Sequence, residues 1–291
     1  MCVPRPSVIV FACLLSAAPL CAQSTSSTTA TSDPQAVALL QKSLAALTSG
    51  TQITDVTLTG SAHRFAGSDD ESGSATLQAT ALDDSRVQLS FASGNRIEIR
   101  NHSAVPLANA LPPGVTVPAI ANQPQPVGAY SGPDGVLHGI AGQNTLTEPA
   151  WFFPALFVAD IAKSPIWVLR YFGPEIHDGV SVIHIQAAQQ IPATANAPQQ
   201  VVSSVGDFTR TDLYIDPNSL LPVVLAFNSH PQDNMFVDIP VEIQFADYQA
   251  ENGVAVPMGV QQYVNNSLAL DLQFSNVTLN SGISASTFAL Q

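Results

Sequence analysis

The stretch that decides the fold is residues 237–264, VDIPVEIQFADYQAENGVAVPMGVQQYV. Apolar residues occupy odd positions before Asn252-Gly253 and even positions after it. Asn-Gly tolerates positive φ angles and favours a two-residue hairpin turn, which pairs an odd position with an even one. Phe245 is therefore expected opposite Val260, and the pattern predicts two antiparallel strands with one dry face.

A third strand is predicted from Leu268 to Phe274, again with apolar residues at even positions. A three-residue loop, Asn265-Asn266-Ser267, is the length that preserves this register. After Phe274 the apolar phase shifts to Val277 and Leu279, which predicts a β-bulge near Ser275-Asn276. The C-terminal part of the chain is thus predicted to be an antiparallel meander.

The N-terminal half adds one helix and four strands. Asp33 followed by Pro34 is typical of a helix start, and Gly50 ends the helical pattern. Its apolar residues are Val37, Leu40, Leu44 and Leu47. Strands are predicted at about 53–65, 75–82, 86–91 and 96–101, with polar turns at 67–73, 83–84 and 93–95. Residues 102–135 hold many prolines and little periodicity, which predicts a Pro-rich loop or insertion.

Trp151 to Ile161 is the most apolar segment that follows residue 22. Pro149 and Pro154 suit its first turn, so we expect a short helix that covers the open side of the sheet. Further strands are predicted at 166–172 and 180–187, on either side of Asp178-Gly179. Residues 191–200 are predicted to form a second loop before the C-terminal strands.

Residues 1–22 have the features of a cleaved secretory signal: Arg5, an apolar run from Val8 to Leu15, and Ala22 at the cleavage position. No small residue stands next to Cys21 as a lipid-attachment signal requires, so a lipid anchor is not expected. All 3 cysteines lie in this segment, and its removal excludes disulfides and thiolate metal sites. No later apolar run is long enough for a transmembrane segment. The predicted location is periplasmic or secreted.

The composition predicts a folded domain. Of 291 residues, 46% are hydrophobic and 11% are charged, which favours one β-rich domain over 33–291 after a flexible leader at 23–32. Once Arg5 is removed, 8 basic and 22 acidic side chains leave a net charge of −14. This charge argues against nucleic acid or an anionic lipid surface as a partner.

Several short motifs occur in a fixed order near the C-terminus. They are Thr211-Asp212-Leu213-Tyr214-Ile215-Asp216, Leu221-Pro222, Asp247-Tyr248, Asn252-Gly253-Val254, Val256-Pro257 and Phe288. Their order and spacing resemble the C-terminal half of LolA-like outer-membrane lipoprotein-sorting proteins. The resemblance covers about the last 80 residues, and for the rest of the chain the order of predicted elements matches.

This resemblance implies a mainly β (α+β) fold. In that family a single curved antiparallel sheet forms a half-open β-barrel covered by short helices. It also implies an exported, non-catalytic protein that holds a hydrophobic ligand, a lipid or an acylated lipoprotein, in the concave face. The arginine-proline pair of the LolA carrier has no counterpart in Asp83-Asp84-Ser85-Arg86, which sets this chain apart from true lipoprotein transfer.

Two sets of residues are candidates for the ligand site. The first comprises the apolar residues Trp151, Phe152, Phe153, Leu156 and Phe157. They suit either an acyl-chain pocket or a closed core, and the pattern is the same for both. The second is Arg64, which shares its phase with Val56, Leu58 and Ala62. If no bulge occurs at Gly60, Arg64 faces the apolar side of the sheet, where its charge must contact water, a carboxylate or a ligand headgroup. If a bulge occurs there, Arg64 is an ordinary surface arginine.

A third set suggests a docking surface. Arg86, Arg96 and Arg100 are predicted to share the face opposite Val87, Leu89, Ile97 and Ile99. They form either a basic patch for an envelope protein or a solvated face with Glu98 as counter-charge. The alternative function is accordingly a protein-interaction or sensor module with a closed core and no lipid ligand.

The sequence indicates no cofactor and no catalytic group. The 6 histidines show no two-ligand spacing on one element, and Asp69-Asp70-Glu71 lacks the alternating ligands of a calcium loop. We find no Gly-x-Ser-x-Gly elbow, cysteine nucleophile, phosphate-binding loop or paired helical carboxylates. An enzyme is therefore not predicted.

Overall fold

A computed structural model describes residues 31–101, 127–190 and 199–290. Within them the chain forms one 13-stranded sheet in which every hydrogen-bonded pair is antiparallel. The strands of the first half are β1 Asp55–Ala66, β2 Asp69–Thr80, β3 Ser85–Phe91, β4 Gly94–Asn101, β5 Val127–Ser131 and β6 Leu137–Gly139. Those of the second half are β7 Trp167–His177, β8 Val180–Gln189, β9 Thr211–Ile215, β10 Pro222–Ser229, β11 Ile239–Glu251, β12 Val254–Val264 and β13 Ser267–Leu279.

The strand order is β6-β5-β4-β3-β2-β1-β13-β12-β11-β10-β9-β8-β7. The first and last strands of the chain therefore meet in the middle of the sheet, while β6 and β7 are its two edges. The sheet does not close on itself, and this confirms the predicted half-open, single antiparallel sheet.

Within the described ranges four α-helices accompany the sheet, α1 Pro34–Thr48, α2 Gly142–Thr145, α3 Pro154–Lys163 and α4 Gln199–Phe208, together with a 3-10 helix at Ala285–Phe288. The start of α1 is as predicted, because the Asp33 carboxylate accepts a hydrogen bond from the Gln35 backbone N–H at 2.8 Å. The helix ends at Thr48, and the C-cap residue Ser49 has a φ of 48°. Leu40 and Leu47 are buried as predicted, whereas Val37 is 38% exposed and Ala36 and Leu39 take its place in the core.

The β12–β13 hairpin has a shorter turn than predicted. Asn265 and Asn266 alone form the turn, with φ angles of 49° and 60°, and Ser267 already pairs with Val264. Ala269 is the extra residue, because Gln262 pairs with Leu270 and Tyr263 with Leu268. A two-residue turn and a one-residue bulge together place the apolar residues of β13 on the face that we expected from a three-residue loop.

The bulge predicted after Phe274 is confirmed. Thr59 pairs with Asn276 and Gly60 with Phe274, so Ser275 is left without a partner in the ladder. Gly60 is required at this crossing, since a Cβ atom there would lie 2.0 Å from the Gln273 carbonyl oxygen. The β-bulge lies on β13, and β1 keeps its alternation through this point.

Three predicted loops differ from the structure. The turn predicted at 67–73 is shorter, because β2 already begins at Asp69. Of the predicted insertion 102–135, residues 102–126 lie outside the described residues, and Val127–Ser131 is strand β5. Of the predicted loop 191–200, residues 191–198 also lie outside them, and α4 begins at Gln199. The sequence did not predict β5, because this strand is only five residues long and follows a Pro-rich segment with little hydrophobic periodicity.

The structure describes little of the predicted signal and leader, but it describes the C-terminal segment up to residue 290. Residues 1–30, which include the predicted signal and most of the predicted leader, lie outside the described residues. Ser32, assigned to the flexible leader, instead receives a hydrogen bond from the Leu169 backbone N–H at 3.1 Å. At the other end Asp55 accepts the Ser281 and Gly282 backbone N–H groups at 2.8 and 3.0 Å, which holds the C-terminal segment against the start of β1.

The concave face of the sheet is divided along β11. Phe245 packs against Phe157 of α3, with ring centroids 6.2 Å apart, and α1 packs on α3. Phe245 also lies opposite Val260, as the alternation predicted. The helices therefore fill the Phe245 end of the concave face. The opposite end, where β11 starts at Ile239, is left open.

Candidate ligand-binding cavity

The open end of the concave face contains a cavity of about 510 Å³. Its wall is mainly apolar and comes from strands of both halves of the sheet. The apolar residues include Val87, Leu89, Trp151, Phe227, Val241 and Leu270. Sites for small molecules commonly have volumes of roughly 300–1,000 Å³ and apolar walls with few polar groups. The cavity has the size and composition of such a site.

The pairing register of β10, β11 and β12 explains why their apolar side chains line the cavity. Phe227 pairs with Val241, and Val241 with Val264, so all three side chains point to the concave face. The alternation of β10, β11 and β12 therefore supplies one wall. The sequence pattern predicted β11 and β12 and their dry face, but it does not separate the residues that line a cavity from those that form the core.

Trp151 is the residue of the predicted apolar set that reaches the cavity. It precedes α3 and packs edge-to-face against Phe152, with ring centroids 5.5 Å apart. The remaining residues of the set are in the hydrophobic core and do not line this cavity: Phe152, Phe153, Leu156 and Phe157. The structure thus places Trp151 at the boundary between the closed core and the open cavity.

The three arginines of the predicted basic patch do not share a face, which corrects the prediction. Arg86 pairs with Ile99, and Leu89 pairs with Arg96. Arg96 and Arg100 therefore lie on the concave face with Leu89, and Arg86 lies on the outer face. The cause is turn length: Phe91 pairs with Gly94, so the turn has two residues, whereas the prediction assumed a longer turn at 93–95.

Arg64 lies on the concave face, in phase with Ala62, because the bulge is on the partner strand. Its side chain is near Glu71, which lies 3.6 Å from Arg64 Nη1 and 3.7 Å from Arg96 Nη2. Arg64 Nη1 and Arg96 Nε are buried without a hydrogen-bond acceptor. One carboxylate thus faces two guanidinium groups, and Arg96 is also part of the cavity wall.

Arg100 and Arg86 are engaged in different contacts. Arg100 Nη1 donates to the Asn144 and Thr147 carbonyl oxygens at 2.9 and 3.2 Å, and its Nε donates to Glu98 at 2.8 Å. It therefore fixes the segment that leads to Trp151. On the outer face Arg86 donates to the Thr287 carbonyl oxygen at 3.5 Å and to Gln88 at 3.1 Å. The arrangement does not support a single docking patch of three arginines.

Asp83, Glu148 and Asp160 form a group of carboxyls that lie close enough to influence one another. Burial, followed by the charges of Asp160 and Asp84, raises the pKa of Asp83 to about 7. Burial and the charge of Asp83 raise the pKa of Glu148 well above its usual value. Glu148 also accepts the Ala150 backbone N–H at 3.0 Å, so this group supports the turn that carries Trp151. The sequence analysis did not predict this group, whose members come from three separate segments.

No protein-family model and no curated protein matches the chain. Among solved structures, a DUF1329 family protein from Desulfovibrio piger is similar at 11% identity and a TM-score of 0.50, over 88% of this chain and 98% of that one. A domain from Vibrio parahaemolyticus is provisionally described as an outer membrane lipoprotein-sorting protein domain. It has 11% identity and a TM-score of 0.49, over 87% of this chain and 96% of that one. A LolA superfamily protein from Nitrosomonas europaea has 9% identity and a TM-score of 0.47, over 87% of this chain and 97% of that one.

The chain is similar in fold to the DUF1329 family protein, and its open antiparallel sheet with short helices is the fold that the sequence resemblance implied. At such low identity the likeness concerns the fold alone. Within the described residues we also find no helix with the length and apolar character needed to cross a membrane.

Proposed function

We propose that this protein is an exported, non-catalytic binding protein that holds a hydrophobic ligand, such as a lipid or an acyl chain, in the cavity of its half-open sheet. The observation that carries the proposal is the open cavity of about 510 Å³ with a mainly apolar wall. The neighbouring structures described as lipoprotein-sorting or LolA superfamily proteins are consistent with such a role.

Apolar burial is the driving force in this proposal. Each methylene group withdrawn from water contributes about 0.8 kcal/mol. The aromatic face of Trp151 and the strand residues Leu89, Phe227 and Val241 offer the required surface. A ligand chain enters at the open end of the concave face, because α1 and α3 fill the other end.

The predicted secretory signal and the acidic charge belong to the same proposal. Removal of residues 1–22 would release the protein into the periplasm or the medium, with no lipid anchor. Its negative charge disfavours adsorption to anionic membranes, which suits a protein that keeps its ligand in solution. No cofactor is needed, since apolar binding involves no covalent step.

Acyl-chain binding can be tested with a fluorescent fatty acid on the chain from Gln23 onward. Ile239→Trp is designed to fill the cavity, because Ile239 is part of its wall. Val237→Trp is the matched control, since Val237 is 46% exposed and does not line the cavity. We expect saturable binding that Ile239→Trp reduces at least tenfold and Val237→Trp leaves unchanged. Absence of saturable binding in the unmodified protein, or equal loss in both variants, would overturn the proposal.

A further inference from the structure

Four aromatic rings form a continuous stack on the outer face of the sheet, opposite the cavity. Phe172 stacks on His184 with centroids 4.6 Å apart, His184 on Tyr214 at 4.6 Å, and Tyr214 on His177 at 4.0 Å. These stacking contacts orient both histidine rings. Each is also approached by two carboxylates, which are Glu175 and Asp212 for His184 and Asp178 and Glu242 for His177.

The contact between His177 and Glu242 joins distant parts of the sheet. His177 ends β7, an edge strand, and three strands separate β7 from β11, which carries Glu242. The β7–β8 hairpin bends where Phe172 is bulged and Gly173 has a φ of 98°, and its tip lies across the outer face. His177 Nε2 thereby comes within 3.1 Å of Glu242 Oε2.

The two histidines differ in how their carboxylates are arranged. Around His184, Glu175 approaches Nδ1 at 3.5 Å and Asp212 approaches Nε2 at 2.8 Å, so the carboxylates lie on opposite sides of the ring. Around His177, both carboxylates approach Nε2: Glu242 at 3.1 Å and Asp178 at 3.9 Å. One Nε2–H can donate fully to only one of them. A cation bound between His177 Nε2 and the two carboxylates would interact favourably with both carboxylates.

The three atoms have a spacing that suits a metal ion. His177 Nε2 and one oxygen each of Asp178 and Glu242 all lie within 4.8 Å of one another. Tetrahedral zinc has ligand distances of about 2.0–2.2 Å, which places its ligand atoms roughly 3–4 Å apart. The separations of 3.1 and 3.9 Å from His177 Nε2 fit that range.

A further contact orients the Glu242 carboxylate. Gln244 Nε2 donates a hydrogen bond to Glu242 Oε1 at 2.7 Å, which leaves Oε2 facing His177. Outer partners of this kind commonly fix metal ligands, and their loss weakens metal binding about 10–100-fold. Among the described residues, no lysine or arginine forms an ion pair with Asp178 or Glu242.

We propose that His177 Nε2, Asp178 and Glu242 form a Zn²⁺ site on the outer face, with water completing the coordination. The ion would attach the tip of the β7–β8 hairpin to β11 at the centre of the second half of the sheet. The site is separate from the apolar cavity and does not depend on the proposed lipid binding. His177 and Glu242 are 65 positions apart, which is why the spacing of histidines in the sequence did not predict the site.

The test is a calorimetric titration of the chelator-treated chain from Gln23 onward with zinc chloride, together with thermal unfolding with and without zinc. We expect one equivalent to bind, and zinc to raise the unfolding temperature. His177→Gln and Glu242→Gln should each lose at least tenfold in affinity, while Gln244→Ala should lose about tenfold.

His63→Gln is the matched control, because His63 contacts one carboxylate, that of Asp70, and lies outside the aromatic stack. It should retain zinc binding, and circular dichroism of every variant reports whether the fold is kept. Absence of stoichiometric binding in the folded parent protein would overturn the proposal. So would a folded His177→Gln variant of unchanged affinity, or an equal loss in His63→Gln, which would indicate general attraction of cations to an acidic surface.

Discussion

Trp151 packs edge-to-face against Phe152, at an interplanar angle of 89°, and these two neighbours separate the cavity from the core. Trp151 is part of the cavity wall, and Phe152 is fully buried behind it. The two residues should therefore respond to different experiments. Changes at Trp151 should report on the ligand, and changes at Phe152 on the stability of the fold.

Trp151 should act as a fluorescent reporter of ligand binding. The chain has 2 tryptophans, and Trp167 instead donates its indole N–H to Asp160 at 2.8 Å. In a Trp167→Phe variant we expect the emission of Trp151 to change saturably as a fatty acid is added. In a Trp151→Phe variant the signal of Trp167 should remain constant. A ligand response confined to Trp167 would contradict the location of the site.

Phe152→Ala should destabilise the protein strongly. Removal of a large, fully buried aromatic side chain leaves a cavity and typically costs about 3–5 kcal/mol. Phe236→Ala is the control, because Phe236 is 85% exposed, and such surface changes usually stay within about 0.5 kcal/mol. Chemical denaturation monitored by circular dichroism measures both. Similar midpoints for the two variants would show that Phe152 is not a core residue.

Arg96 should favour ligands with an acidic headgroup. Its Nε is buried without an acceptor, and its contact with Glu71, at 3.7 Å, is longer than a hydrogen bond. We expect a fatty acid to bind more tightly than the alcohol of equal chain length, and Arg96→Gln to reduce that preference about tenfold, since a hydrogen bond to a charged group contributes about 1.5–3 kcal/mol.

Exposed Arg170, which does not line the cavity, offers the matched control Arg170→Gln for this comparison. It should leave the preference for the acid unchanged. Competition assays against one fluorescent probe give both affinities for each variant. If Arg96→Gln weakens acid and alcohol to the same degree, Arg96 contributes packing and does not recognise the headgroup.

The stability of the protein should fall as the pH rises from about 4 to about 7. Asp83 has a folded-state pKa of about 7, above its ordinary value of 3.8, because of burial and the charges of Asp160 and Asp84. The folded state therefore binds the proton more tightly than the unfolded state. This contribution is complete below pH 3.8 and is lost as the pH rises through about 7.

Asp83→Asn removes this titration and keeps a residue that accepts the positive φ of 62° at this position. We expect the free energy of unfolding of the unmodified protein to drop by at least about 1 kcal/mol between pH 5 and pH 8, and the variant to show a shallower drop. Urea denaturation at several pH values measures this. Parallel pH profiles for the two proteins would mean that Asp83 does not titrate as proposed.

The strand register was predictable where a turn has a strong local signature. Asn252 and Gly253 adopt φ angles of 52° and 85°, as an Asn-Gly hairpin turn requires, and this fixed the pairing of Phe245 with Val260. The β3–β4 turn has no such signature. A two-residue turn there reverses the face of every side chain on β4, and for that reason Arg96 and Arg100 were assigned to the wrong side.

The candidate site was predictable only in part, because an apolar pattern does not distinguish a cavity from a packed core. Trp151 and Phe152 are adjacent aromatic residues, yet only Trp151 lines the cavity. The difference depends on where α3 packs on the concave face, which is a matter of tertiary packing. The His177–Glu242 contact depends likewise on the bend of the β7–β8 hairpin.

The central claim is that the concave cavity holds a hydrophobic ligand. The most direct test is to export the chain from Gln23 onward into a periplasm, purify it without detergent, and compare its mass under native and denaturing conditions. We predict an extra mass that is lost on denaturation and fragments as a lipid. A bare protein mass that persists after incubation with a lipid extract would contradict ligand binding in the cavity and direct the search to protein partners.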